Sequence, residues 1–309
     1  MNISTAQSKP QKLKIPRARY TGYSGTKINP RNFHVSQIKF YLILIPMAIF
    51  MALPIVYIFS TAFKPLNELF AWPPQFFVAE PTLKNFIDLF AITSNTGVPM
   101  TVYIWNSIWI SGAVVVISIF VSSLAGYALS KLKFKLKKPL LLINNIAIIF
   151  VGSSVVIPRY LVIQSLGIID TFWVHILPGL AVPVGLFLIK QFIDQIPNEL
   201  IEAAKVDGAN EFQIYFNIIL PLIKPAVATI AIVSFQSVWN NTEVSTNLIT
   251  DERLKTFAFY MSTLTTQANT VAGQGMAAAA ALIMFIPNLI IFIILQKNVM
   301  DTMAHSGMK

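Results

Sequence analysis

The stretch IPNELIEAAKVDGANEFQIYFNIILPLIKP, residues 196–225, decides how this chain is read. It gathers Glu, Asp, Lys and Asn between two strongly apolar runs. Pro197 suits the first turn of a helix, where its missing N–H costs nothing. NELIEAAKV continues that helix, favoured by Ala203 and Ala204. Asp207-Gly208 then breaks it, because glycine readily adopts the left-handed conformation that ends helices. Asn210 can cap a second helix, and Gln213, three residues on, completes a capping box. That helix runs EFQIYFNIIL to Pro221 and Pro225, which open the next apolar run. The stretch reads as two short helices joined by a tight elbow, lying outside a bilayer.

A bilayer is implied by the rest of the chain. Its 309 residues are 55% hydrophobic and 12% charged, with a mean hydropathy of +0.65. A soluble domain carries roughly 25% charged residues, so this is an all-α integral membrane protein. Segments 38–63, 103–130, 139–157, 172–193, 222–242 and 275–296 each approach the roughly 20 apolar residues a span needs, giving six transmembrane helices. The third is short and rich in small polar residues. Cysteine is absent, which excludes disulfides and thiolate metal sites.

Lys and Arg set the orientation. Of the 23, only Lys64, Lys84, Arg159, Arg253 and Lys255 fall in one set of alternate loops. The others lie in residues 1–39, 131–138 and 190–224 and in the C-terminal tail. Positive residues stay inside, so both termini and the 196–221 segment are expected in the cytoplasm. The parts are then a basic flexible tail (1–37), a first transmembrane helix (38–63), an external loop (64–102), a five-helix core (103–296) containing the cytoplasmic segment 196–221, and a cytoplasmic tail (297–309). The first 37 residues lack the apolar core of a cleavable signal, so the first span is expected to act as an uncleaved anchor. The basic tail is expected to lie near anionic membrane lipid. Topology accounts for the net charge of +10, and no nucleic-acid partner is implied.

Within the six spans there is no Asp or Glu. Ion-coupled carriers place such groups at membrane depth to bind the driving ion, so a self-powered carrier is disfavoured. No glycine stands directly before Lys-Ser or Lys-Thr, so a P-loop is absent. His34, His175 and His305 are too scattered for a metal site. With no nucleophile motif either, the chain reads as a transport component and not an enzyme. Its energy must come from elsewhere.

The elbow suits docking. Ala203, Ala204, Gly208 and Ala209 are small enough for another protein to approach the backbone, and Glu202 and Asp207 can anchor to donors. Asp194, Glu199, Glu202, Asp207 and Glu211 outnumber Lys190, Lys205 and Lys224 there, on the positive side of a basic protein. An interfacial hairpin between spans accounts for the same residues equally well.

The stretch EAAKVDGANEFQIYFNIILPLIKP resembles the EAA loop of ABC-importer membrane subunits, with E-A-A, three residues to a Gly, then I-x-L-P. IPRYLVIQSLGIIDTFWVHILPGLAVPVGLFLIKQFIDQIP, FKPLNELF, WNS at 105–107 and SVWNN at 238–241 are similar to the carbohydrate-uptake branch, including the smaller maltose permease subunit. Together these cover most of residues 38–309. The resemblance implies a type I ABC importer permease fold in the plasma membrane of a prokaryote. It implies a coupling helix at Glu202, Ala203, Ala204, Asp207, Gly208 and Ala209 that seats in a cytoplasmic ATPase. It also implies a heterodimer with a second related permease, two ATPase copies that bind ATP and Mg, and an extracellular solute-binding protein. No cofactor is expected in this chain itself. An importer of another solute (amino acid, polyamine or phosphonate) shares the same loop, and a stand-alone channel would have no use for it.

An uncharged sugar path needs amides for hydroxyls and aromatics for sugar faces. Gln236, Trp239, Asn240 and Asn241 in the outer half of span 5, Asn106 in span 2, and Asn144 and Asn145 in span 3 are the candidates. Trp at a membrane boundary also serves as an anchor, and Asn between helices as packing glue.

Overall fold

A computed structural model describes residues 35–91, 97–150, 152–267 and 271–306. All of their regular elements are helices. The chain divides into units at residues 1–54 and 55–309. In the first, a 3-10 turn (Val35–Gln37) leads into α1 (Ile38–Phe63), whose limits match the expected first span. Residues 38–54 bury no side chain. An apolar helix of 26 residues exposed along this length is what lipid, not water, would solvate.

The second unit continues from Ile55 through α2 (Leu66–Leu69), α3 (Lys84–Ala91), α4 (Met100–Lys131), α5 (Lys137–Ile149), α6 (Val156–Ser165), α7 (Trp173–Leu180) and α8 (Pro183–Asp194). It then runs through α9 (Asn198–Val206), α10 (Glu211–Ile214), a π-helical turn (Tyr215–Ile219), α11 (Leu220–Leu222), α12 (Lys224–Trp239), α13 (Glu243–Asn247), α14 (Phe257–Gln267) and α15 (Val271–Ser306). Among the described residues, four stretches are long and apolar enough to cross a membrane: 38–63, 100–131, 173–194 and 273–299. A fifth exists if the helices on either side of residue 223, bent by 79°, form one span.

The expected third span is broken. α5 ends at Ile149, its C-cap Phe150 has an extended backbone (ψ 128°), and a 3-10 turn at Gly152–Val155 precedes α6. Gly152 and the neighbouring serines weaken a helix here. The fifth expected span, 222–242, holds one continuous helix, α12, and the bend falls at its start, at Ile223, where neither Pro221 nor Pro225 has an N–H for the carbonyl four residues back. The backbone widens into the π turn just before it, a common response to an obstructed helical ladder.

α4 is the central helix, packed against α7, α8, α12 and α14, while α15 lies against α3, α12 and α14. Its buried side is lined by small residues, among them Ser107, Ser111, Ser118, Ser122, Ser123 and Gly126. Small residues let membrane helices approach closely. At Gly126 a Cβ would stand 2.5 Å from Cγ2 of Ile189, so α8 sits against bare α4 backbone. Ser118 donates to Ser234 of α12 at 3.1 Å. In α15 five consecutive alanines, residues 277–281, allow the same closeness, and Ala279 and Ala280 are fully buried.

Candidate functional site

The elbow forms as the residues dictate. Pro197 occupies the N-cap of α9 rather than its first helical position. Gly208 has φ +82°, and a Cβ there would meet nothing within 4 Å. The glycine therefore answers a backbone requirement and not a lack of room within the chain. The N–H of Ala209 reaches the carbonyl of Ala204 at 2.9 Å, closing the end of α9. Both halves of the capping box are present: Gln213 N–H donates to Asn210 Oδ1 at 2.9 Å, and Asn210 N–H to Gln213 Oε1 at 2.8 Å.

The segment has two faces. Ile201, Ile214, Tyr215 and Ile219 are buried in one apolar cluster with Tyr127 of α4, Ile189 and Ile193 of α8, and Ile230 of α12. Polar contacts reinforce this anchoring. Tyr127 donates to Glu211 Oε2 at 2.5 Å, Ser123 Oγ and the Tyr215 hydroxyl are 2.6 Å apart, and Lys205 pairs with Glu211 at 2.7 Å across the elbow. The hydrogen bond from Lys205, then that from Tyr127, holds the Glu211 carboxyl below the usual range. At its base, Lys131 Nζ donates to the Ile196 carbonyl at 2.6 Å and to Asn198 Oδ1 at 2.9 Å.

The opposite face is free. Glu202, Ala203, Asp207 and Gly208 are exposed, while Ala204 and Ala209 are half-buried against the cluster. Val206 is 87% and Phe212 70% exposed, so two large apolar side chains flank the elbow tip. Sequence reasoning missed this pair, which periodicity alone could have flagged, since neither shares a face with the buried isoleucines. The outward face thus combines carboxylates, small residues and two apolar knobs on a rigidly braced base.

The candidate path residues are scattered. Trp239 is buried, donates its indole N–H to the Met284 carbonyl at 2.9 Å, and stacks on Phe235 at 5.3 Å. Asn106 is buried and donates to the carbonyls of Arg253 (2.7 Å) and Lys255 (3.0 Å). Asn241 Oδ1 accepts from Val244 N–H at 3.0 Å, at the start of α13. Asn144 donates to the Pro183 carbonyl at 3.2 Å. Gln236, Asn240 and Asn145 expose their side chains, with Asn240 donating to the Gln236 carbonyl at 3.0 Å. Asn144 and Asn145 line a small hollow with Leu186, Phe187, Lys190 and Gln191.

At the other end of α4 the 248–257 loop is stitched down. Tyr103 donates to Glu252 at 2.9 Å, His175 Nε2 lies 3.1 Å from the Leu254 carbonyl, and Phe257 N–H donates to Ser107 at 2.8 Å. Asp170, at φ +59°, accepts from Thr250 N–H (2.8 Å), the Thr250 hydroxyl (2.7 Å) and Asp251 N–H (2.9 Å). The Asp251 N–H and the Thr250 hydroxyl hold its carboxyl below the usual range. Arg159 pairs with Glu243 at 2.6 Å.

A bundle of apolar helices carrying a braced elbow with one free face is a multi-pass membrane component. Residues 131–299 match the family described as binding-protein-dependent transport system inner membrane component, and the chain belongs to that family. It is similar to the galactooligosaccharides transport system permease protein of Bacillus subtilis, 30% identical over 87% of this chain and 94% of that one. The arabinooligosaccharides transport system permease protein of Halalkalibacterium halodurans is 29% identical over 83% of this chain and 90% of that one. A crystal structure of a bacterial ABC transporter involved in import of the acidic polysaccharide alginate shares the fold, with a TM-score of 0.75 and 21% identity over 87% of this chain and 99% of that one. The chain is a transport permease and not an enzyme.

Proposed function

We propose that this chain is one of two related membrane-spanning subunits of an ATP-driven importer for a sugar or oligosaccharide. The observation that carries the reading is the two-faced elbow at 196–221, anchored on α4, α8 and α12 and free on its outer side. It lies within the stretch that matches the transport family. The similarity to two oligosaccharide permeases supports a carbohydrate cargo.

In this reading Glu202, Ala203, Ala204, Asp207, Gly208 and Ala209 form the contact with a cytoplasmic ATPase, and Val206 and Phe212 supply its apolar part. ATP and Mg belong to two copies of that ATPase. Their closure carries the elbows, and the anchored helices rock between inward- and outward-facing states. A solute-binding protein delivers cargo on the far side, as the family's description implies. The membrane is the plasma membrane of a prokaryote, with both termini cytoplasmic. The broken α5–α6 pair and α12 complete six spans. Gln236, Asn240 and Asn145, whose amides are exposed, are the path residues best suited to meet cargo.

Gentle purification from the native membrane by a C-terminal tag, followed by mass spectrometry, tests the assembly. A second permease and about two copies of a P-loop ATPase per complex are expected, with uptake that requires ATP. A chain recovered alone that moves solute without ATP would overturn the reading.

A further inference from the structure

The turn KLKFKLKK, residues 131–138, joins α4 to α5, and its five lysines divide into two sets. Lys131 is spent on Ile196 and Asn198, and Lys137 on the carbonyls of Ser130 (2.8 Å) and Leu132 (3.3 Å). These two fold the turn back on the bundle. Lys133, Lys135 and Lys138 point outward, and among the described residues none of them has an ionic or hydrogen-bonding partner. No Asp or Glu occurs anywhere between Asp88 and Asp170.

Between these free lysines stand Phe134, 40% exposed, and Leu136, 64% exposed. Leu132 alone turns inward, against the cluster that holds the elbow. Exposed apolar side chains recur along α5, at Leu140, Leu142 and Ile143, and α5 has no buried residue. In this reading the apolar side of α5, with Leu142, Ile143 and Ile146, is covered by acyl chains, while Asn145 stands at its edge beside the hollow it lines with Asn144 and Lys190. The turn at the start of α5 then sits at headgroup depth, where cations beside an aromatic and a leucine are at home.

We propose that residues 131–138 form a binding surface for anionic phospholipid. Lys133, Lys135 and Lys138 hold the headgroup phosphates, and Phe134 and Leu136 enter the headgroup–acyl boundary. A protein partner would need acidic groups facing the lysines and would leave Phe134 and Leu136 to find a pocket. The continuity with the lipid-facing side of α5 favours the membrane. Lys131 and Lys137 hold the loop in register, so the surface is built rather than formed on contact.

The test uses the full-length chain in its complex, reconstituted in nanodiscs of phosphatidylcholine with phosphatidylglycerol, a small part of the latter carrying a photoreactive diazirine. Peptide mapping after illumination reads where the label lands, which separates this turn from the basic residues 1–37. Labelling across 131–143 is expected. K133Q/K135Q/K138Q should weaken it at least about fivefold, because a lysine near an anionic surface contributes a factor of roughly five each. The same variant should keep its thermal stability in pure phosphatidylcholine discs. A diazirine-bearing phosphatidylcholine should label the turn weakly and equally in both proteins. Undiminished phosphatidylglycerol labelling in the triple variant would overturn the proposal. So would unlabelled turn peptides together with loss of a copurifying subunit from the variant, which would make the surface a protein interface.

Discussion

Tyr127 donates its hydroxyl to Glu211 at 2.5 Å, joining the end of α4 to the helix after the elbow across 84 residues of chain. Lys205 grips the other carboxylate oxygen at 2.7 Å, so one side chain holds both halves of the elbow and a span together. If the elbow transmits motion, this is where it is handed to α4. Tyr127→Phe removes a hydrogen bond to a carboxylate, worth about 1.5–3 kcal/mol, and leaves the ring packed. We expect normal membrane levels with ATPase stimulation and uptake falling together. Glu211→Ala should act in the same direction and more strongly, because it removes both the acceptor of Tyr127 and the ion pair with Lys205. Uptake assays on matched amounts of assembled complex decide it.

Gly208 separates conformation from contact. A residue other than glycine at φ +82° costs about 1–2 kcal/mol, although its Cβ would meet nothing within the chain. Gly208→Val should insert normally and transport poorly. Gly208→Asn tolerates the backbone angle, so it restores activity if only the turn matters. It stays inactive if a partner's surface closes on this point, which the coupling reading expects.

Much of the elbow is legible in the sequence alone. Asn210 and Gln213 announce the capping box and Asp207-Gly208 the break, because these interactions are local. The Tyr127–Glu211 bond is not legible, since nothing in either residue's neighbourhood names the other. The same blindness affects the path candidates. Trp239 and Asn106 look available in the sequence, but packing on α15 and the loop carbonyls near residue 254 occupy them. Span 1 matches its expected limits because an uninterrupted apolar run is enough. Span 3 is broken at Gly152, and span 5 begins only after the bend at Ile223, between Pro221 and Pro225; at both places local backbone effects outweigh hydropathy.

The 248–251 turn should be acid-sensitive. Asp170 accepts three hydrogen bonds there, and its carboxyl titrates below the usual Asp value of about 3.9. A group depressed in the folded state stabilises it fully above the unfolded pKa, and that contribution is lost as pH falls through the folded value. The turn should therefore hold at neutral pH and loosen below about pH 4. Asp170→Ala should give the loosened turn at neutral pH, read as faster amide hydrogen exchange at Thr250 and Asp251. Equal exchange in both proteins would contradict the role given to Asp170.

α4 and α8 touch through Gly126 and Ile189. A Cβ at 126 would lie 2.5 Å from Ile189 Cγ2, so Gly126→Ala should destabilise the bundle by about 1–3 kcal/mol through overpacking. Gly126→Ala combined with Ile189→Ala should be less damaging than the two losses added, because each relieves the other. Thermal unfolding in detergent of the four proteins completes the cycle.

The absence of cysteine from the chain allows the most direct test of coupling. Asp207→Cys places a single thiol on the exposed face of the elbow. In the assembled transporter, a short thiol-reactive photocrosslinker attached there should link the chain to a P-loop ATPase. The link should change in yield when ATP is bound, and an externally applied membrane-impermeant reagent should not reach the thiol. A thiol labelled only from outside, or one that links to no ATPase in an ATP-hydrolysing complex, would contradict the coupling role of residues 196–221.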